Sequence, residues 1–82
     1  MTIKKKFGVV NSDIVRDPGI SLRAKAIYAL LCTFLDKQRR CYPSIKLLSE
    51  LSGVNRRTVE RSIKELEEKE HVRRENRVFI LK

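Results

Sequence analysis

The sequence has no tryptophan, one histidine, two cysteines, two prolines and three glycines in 82 residues. These shortages narrow the chemistry. His71, with Cys32 and Cys41 separated by eight intervening residues, matches no zinc-ligand spacing, so no metal site is expected. Two cysteines in a chain without a recognisable secretory leader do not form a disulfide scaffold, and both are expected to be reduced. Nothing local activates either thiol for a Cys–His mechanism. Strand transfer at Tyr28 or Tyr42 would need a histidine cluster that the chain lacks. The expectation is therefore no enzyme: no catalytic residues, no cofactor and no small-molecule substrate. A chain this short also seldom builds a deep cleft.

Long uncharged runs are missing as well. No stretch of about 18 residues lacks a charge, which excludes a membrane span. Lys4, Lys5 and Lys6 resemble the start of a leader, but Asp13, Arg16 and Asp17 soon follow, so a cytoplasmic protein is expected. Acidic residues are the minority, 10 against 19 Lys and Arg, for a formal net charge of +9. Hydrophobic residues make up 41% of the chain and fall in periodic blocks, which argues against disorder. A small, basic, folded domain points to nucleic acid or an acidic partner; a merely solubilising surface is the alternative.

The chain reads as one domain over residues 1–82. Residues 1–10 form a basic arm with a short apolar stretch, Phe7-Gly8-Val9-Val10, suited to an arm or an edge strand. Asn11 to Gly19 is rich in turn residues, and Asp17-Pro18-Gly19 is a stop signal. Ser21 suits an N-cap for a first helix over 22–38, with Leu22, Ala26, Ile27, Leu30, Leu31 and Phe34 as its buried stripe. After the Arg39-Arg40-Cys41-Tyr42 connection, Pro43 and Ser44 open a two-turn helix carrying Ile45, Leu47, Leu48 and Leu51. Gly53 is placed to take a left-handed conformation between this helix and the next. Asn55 caps a longer helix that reaches residue 70, with Val59, Ile63 and Leu66 on one side and Arg57, Arg61 and Lys64 on the other. Val72 to Leu81 changes to strand character, with Asn76 at a hairpin tip.

The order is arm, three helices and a basic hairpin. The spacing over 44–70 is that of a helix-turn-helix, with small Ser49 at the crossing, Gly53 in the turn, and Leu48, Val54, Val59 and Ile63 fixing the angle. The fold class is mainly α with a small β-hairpin over 72–81, a winged helix-turn-helix with a three-helix core and a wing. Tyr42 to Lys69 (Tyr-Pro-Ser-Ile-Lys-Leu-Leu-Ser-Glu-Leu-Ser-Gly-Val-Asn-Arg-Arg-Thr-Val-Glu-Arg-Ser-Ile-Lys-Glu-Leu-Glu-Glu-Lys) resembles the bacterial and phage winged-helix group of helix-turn-helix domains. Asp17 to Leu31 (Asp-Pro-Gly-Ile-Ser-Leu-Arg-Ala-Lys-Ala-Ile-Tyr-Ala-Leu-Leu) resembles the N-terminal part of the same group. Such domains occur in plasmid and phage replication initiators, replisome organisers and small mobile-element regulators. The resemblance covers roughly residues 7–81 and implies a recognition region at Asn55 to Lys64 and a wing at Arg73 to Arg77. Where such domains commonly carry Lys-Gly and two large apolar residues, this chain has Lys69-Glu70-His71-Val72, without the glycine stop signal.

Charge along the recognition region is ordered against the helix dipole. Arg56, Arg57, Arg61 and Lys64 come first; Glu65, Glu67, Glu68 and Glu70 follow. An anionic groove at the N-terminal half would favour that order. Solvated i,i+4 pairs, Glu60–Lys64 and Arg61–Glu65, are the structural alternative. Arg57 and Arg61 suit guanine edges; Asn55 and Thr58 suit a base or a phosphate, although capping competes for Asn55. Ser44 and Lys46 stand at a helix start suited to phosphate. Arg73, Arg74 and Arg77 would follow the flanking backbone or minor groove. The expected partner is double-stranded DNA, recognised with sequence preference, with a homo-oligomer on DNA open to it and no membrane. The setting implied by the resemblance is a plasmid, phage or transposon, in transcription regulation, replication initiation or DNA processing. A protein-interaction or oligomerisation module using Phe7, Val9, Val10 and Tyr28 is the rival. RNA binding is weaker, because the few aromatics form no evident stacking platform.

Overall fold

The computed structural model describes residues 11–81. The expected arm over 1–10, with Phe7, Val9 and Val10, lies outside the described residues. The elements are helices α1 (Ser12–Arg16) and α2 (Leu22–Cys32), strand β1 (Arg40–Cys41), helices α3 (Ile45–Ser52) and α4 (Arg56–Glu68), and strands β2 (Val72–Glu75) and β3 (Val78–Leu81). Helices α2, α3 and α4 pack together, and a three-stranded antiparallel sheet follows them in space, in the order β1-β3-β2. This is a winged helix-turn-helix.

Each longer helix starts where a side chain accepts a free first-turn N–H. Ser21 Oγ accepts from Ala24 at 3.1 Å, Ser44 Oγ from Leu47 at 3.0 Å, and Asn55 Oδ1 from Thr58 at 2.8 Å. Helix α1 arises within the segment read as turn-rich. Asn11 Oδ1 caps it at 2.9 Å, and Ile14 anchors it in the core. Five residues with one buried anchor leave too little periodicity to register as a helix.

Helix α2 departs from expectation in two ways. Its buried face is Ala24, Ile27, Tyr28, Leu31 and Cys32, whereas Leu22 is 82% exposed and Ala26 and Phe34 also face outward. The helix is apolar on nearly every side, so spacing alone does not select the side that packs. It also ends at Cys32, six residues before the expected limit of 38. Tight i→i−3 bonds close it, from Thr33 to Leu30, Phe34 to Leu31 and Leu35 to Cys32, at 3.0, 3.0 and 3.3 Å. Asp36 then holds a turn: its carboxylate accepts from the backbone of Arg40 at 3.0 Å and Gln38 at 2.8 Å, and Arg39 adopts φ 61°. The Arg40 and Gln38 N–H groups keep the Asp36 carboxyl below its ordinary pKa. An aspartate able to satisfy its own backbone competes with helix, which is why the chain turns here.

The turn delivers Arg40 and Cys41 to the sheet. The segment read as a plain connection is thus β1, paired with β3 through Arg40↔Ile80 and Cys41↔Phe79. The hairpin β2–β3 has Val72↔Leu81 and Glu75↔Val78 at its ends, and Asn76 takes φ 56° at the tip. Strand β3 is therefore central, which accounts for its unbroken Val-Phe-Ile-Leu run. The core joins α2 to Leu48, Val59, Ile63, Leu66, Cys41, Val72, Phe79 and Leu81. In α3 only Leu48 is buried, while Leu51 is 54% exposed. Burial pushes the thiol of Cys41 up to about 12 and raises that of Cys32, so both thiols are held protonated.

Candidate nucleic-acid interface

The turn between α3 and α4 is held by side chains as much as by backbone. Gly53 adopts φ 78°, and its N–H reaches Ser49 O at 3.0 Å. Ser49 Oγ donates to Val54 O at 2.6 Å, while Val54 N–H reaches Ser52 Oγ at 3.3 Å. Ser49 is therefore more than a small residue at a crossing: it ties the entry of α4 to α3. Val54 fills the corner, half-buried against the hydrophobic core.

Helix α4 turns Val59, Ser62, Ile63 and Leu66 inward, with the Ser62 hydroxyl donating to Thr58 O at 2.9 Å. At about 100° per residue, Arg57, Arg61, Lys64 and Glu68 then fall on the opposite side, and all four are exposed. Glu60 lies on one flank of this stripe and Thr58 and Glu65 on the other. None of Arg56, Arg57, Arg61 and Lys64 forms an ion pair with another described residue. The i,i+4 pairs of the structural alternative, Glu60–Lys64 and Arg61–Glu65, do not form. Glu60 instead accepts from Arg74 at 3.1 Å, and both Glu65 oxygens go to Ser21, from its N–H at 2.7 Å and its Oγ at 2.8 Å. Two carboxylates that would have neutralised the stripe are thus turned to its flanks.

The hairpin arginines are placed differently. Arg74 lies over the Phe79 ring, 5.2 Å from its centroid, in addition to its contact with Glu60. Arg73 pairs with Glu75 on its own strand. Arg77 follows the tip and has no ion-pair partner among the described residues. It lines an open groove of about 330 Å³ with Tyr42, Pro43, Ser44, Ile45, Arg74 and Phe79. This groove joins the start of α3 to the wing. Ser44 contributes its cap there, and Lys46 is exposed in the same first turn. Tyr42, 60% exposed on the groove, is considered from the sequence only as a nucleophile and not as part of an interface; Pro43 beside it, which favours an extended entry to α3, is the available signal. Asn55 keeps only its amide NH2 for a ligand, because Oδ1 is engaged in capping.

Tyr28 does not belong to any surface. It is completely buried, so it does not contribute to the rival oligomerisation surface, whose other residues, Phe7, Val9 and Val10, lie outside the described residues. Among the described residues its hydroxyl meets no partner in hydrogen-bond geometry, and burial first, then the adjacent Cys32 thiol, raises its pKa. Among the described residues no group of three or more His, Cys, Asp or Glu could hold a metal ion, and no helix is long and apolar enough to cross a membrane.

A family model described as a helix-turn-helix domain matches residues 19–72, well over half of the chain. No curated protein and no solved structure matches it significantly.

Proposed function

The chain belongs to the helix-turn-helix domain family, and from that premise we propose that it is a non-catalytic module binding double-stranded DNA with sequence preference. Membership suggests DNA binding; the arrangement of α4 supports the finer reading. One observation carries it: Arg57, Arg61 and Lys64, without ion-pair partners among the described residues, stand on the outer face of a helix whose other sides are fixed by α2, α3 and the hairpin. A guanidinium on such a face suits the O6 and N7 acceptors of guanine in the major groove. Arg56, Thr58 and the Asn55 amide lie at the same helix start, where the dipole also favours an anion. Ser44 and Arg77 line the groove toward the wing, and with Lys46 in the same first turn as Ser44 they suit the flanking phosphates; Arg73, paired with Glu75 on the other side of β2, would reach the backbone farther along the wing. Arg74 contributes less, because Glu60 and Phe79 already engage it.

Residues 1–82 act in this reading as a single winged-helix domain in the cytoplasm. The setting is a bacterial mobile element, with a role in transcription regulation, replication initiation or DNA processing. A homo-oligomer on DNA would follow from a palindromic or repeated site. The test is titration of the protein on duplex DNA at several salt concentrations. Log K falling with log salt by about 4–8 phosphate equivalents supports the reading. Absence of binding at low salt overturns it and leaves a protein-interaction module.

A further inference from the structure

The flank of α4 away from the wing carries a second open groove, of about 170 Å³, lined by Ser21, Arg23, Thr58, Arg61, Ser62 and Glu65. Two guanidiniums line this groove together with one carboxylate, yet neither arginine pairs with that carboxylate. Glu65 is turned to the start of α2, where the N–H and hydroxyl of Ser21 take one oxygen each, at 2.7 and 2.8 Å. An anion at a helix start is where the dipole favours it, so Glu65 is well placed there. Arg61, one turn before Glu65, is thereby left without its i,i+4 partner. Arg23, two residues after Ser21, is exposed and has no ion-pair partner among the described residues.

We propose that this groove is a backbone-phosphate site, with Arg23 as a DNA-contacting residue outside the helix-turn-helix pair and the Thr58 hydroxyl as a second donor. The inference rests on the duplex-DNA reading above and adds to it the strand that Arg23 grips. Glu60 and the wing lie on one flank of the Arg57–Arg61–Lys64 stripe; Thr58, Glu65 and Arg23 lie on the other. A helix lying in a major groove has a phosphate backbone on each side. The Arg77 groove then meets one strand and the Arg23 groove the other. The occupant is a backbone phosphate and not a base edge, because Arg23 and Thr58 lie on the flank of α4 and not on the outer Arg57–Arg61–Lys64 face, and a guanidinium and a hydroxyl can both donate to an anion there.

The experiment uses the full chain and duplexes carrying single neutral methylphosphonates at successive backbone positions, with Arg23→Gln and Arg23→Lys compared to the unaltered protein. Arg23→Gln is expected to bind every duplex roughly three- to tenfold more weakly, with the salt slope lowered by about one. One methylphosphonate position should weaken the unaltered protein and leave Arg23→Gln indifferent; Arg23→Lys should restore the slope. Unchanged melting temperature separates these effects from a folding defect, and the methylphosphonate readout does not depend on it. If Arg23→Gln matches the unaltered protein at every position while Arg57→Ala still weakens binding, the Arg23 site is wrong and the duplex reading stands. If the unaltered protein binds no duplex at low salt, the duplex reading falls and this site falls with it.

Discussion

The two halves of α4 use charge in opposite ways. In the N-terminal half Arg56, Arg57 and Arg61, and just past the middle Lys64, have no ionic partner among the described residues, and no acid stands in the first turn. In the C-terminal half Glu65 fastens α4 to the start of α2, and no base stands in the last helical turn. The five-residue α1 shows the ordinary pattern, with Asp13 first and Arg16 last. Each reversed charge costs an exposed helix about 0.3–1 kcal/mol. The difference teaches that one half of α4 is arranged to hold the fold and the other to meet an anion. The wing repeats the division, with Arg74 held by Glu60 and Phe79 and Arg77 open.

The largest expected effect falls on the N-terminal half. Arg57→Ala and Arg61→Ala should each cost about 1–3 kcal/mol of binding to a preferred duplex and relax the preference, read by titration on matched and altered sites. Stability should be unchanged for Arg61→Ala and unchanged or slightly raised for Arg57→Ala, which removes an unfavourable charge from the first turn. Equal losses on all sequences would make these arginines phosphate contacts and weaken the distinction between the halves.

Glu65→Ala should do the reverse. Removing the carboxylate from Ser21 should lower stability by about 1 kcal/mol, measured by thermal or urea unfolding. The salt slope of DNA binding should stay as it was. Arg74→Ala should behave similarly, losing about 0.5–1 kcal/mol of stability with its ring contact and exposed ion pair. A drop of one phosphate equivalent in the slope for Arg74→Ala would instead place that residue with the binding half.

The smallest effect concerns the end of the helix. Glu70 adopts φ 63°, and two bonds close the helix around it, His71 N to Leu66 O and Glu70 N to Glu67 O, both 2.9 Å. This is the Schellman arrangement that a glycine normally serves, here made with a glutamate. Glu70→Gly should therefore stabilise the protein by about 0.5–1 kcal/mol, read as a higher melting temperature, without altering DNA binding. A destabilised Glu70→Gly variant would mean that the glutamate side chain holds the helix end in some other way.

What could be read from the sequence was local chemistry. Ser21, Ser44 and Asn55 cap their helices, Gly53 takes the left-handed turn, and Asn76 forms the tip, because each needs only its neighbours in the chain. The packing side of α2 was not legible, since an almost uniformly apolar helix has no preferred face until its partners are present. Strand β1 was missed for a related reason. Two residues have no periodicity, and Arg40-Cys41 becomes a strand only because β3 lies beside it. At the candidate site the outward stripe followed from helical spacing. The partners of Glu60 and Glu65 did not, because both reach across the fold to residues distant in sequence. Those two contacts decide which arginines are left open, and hence where Arg23 acquires its significance.

The most direct test of the central claim is selection from random duplexes by the unaltered protein and by the Arg57→Ala, Arg61→Ala double variant. The unaltered protein should enrich a defined site containing guanine positions. The double variant should lose the preference at those positions while keeping salt-dependent binding to DNA in general. Identical enriched sites for both proteins, or no enrichment by the unaltered protein, would contradict the assignment of the N-terminal half of α4 as the reading surface.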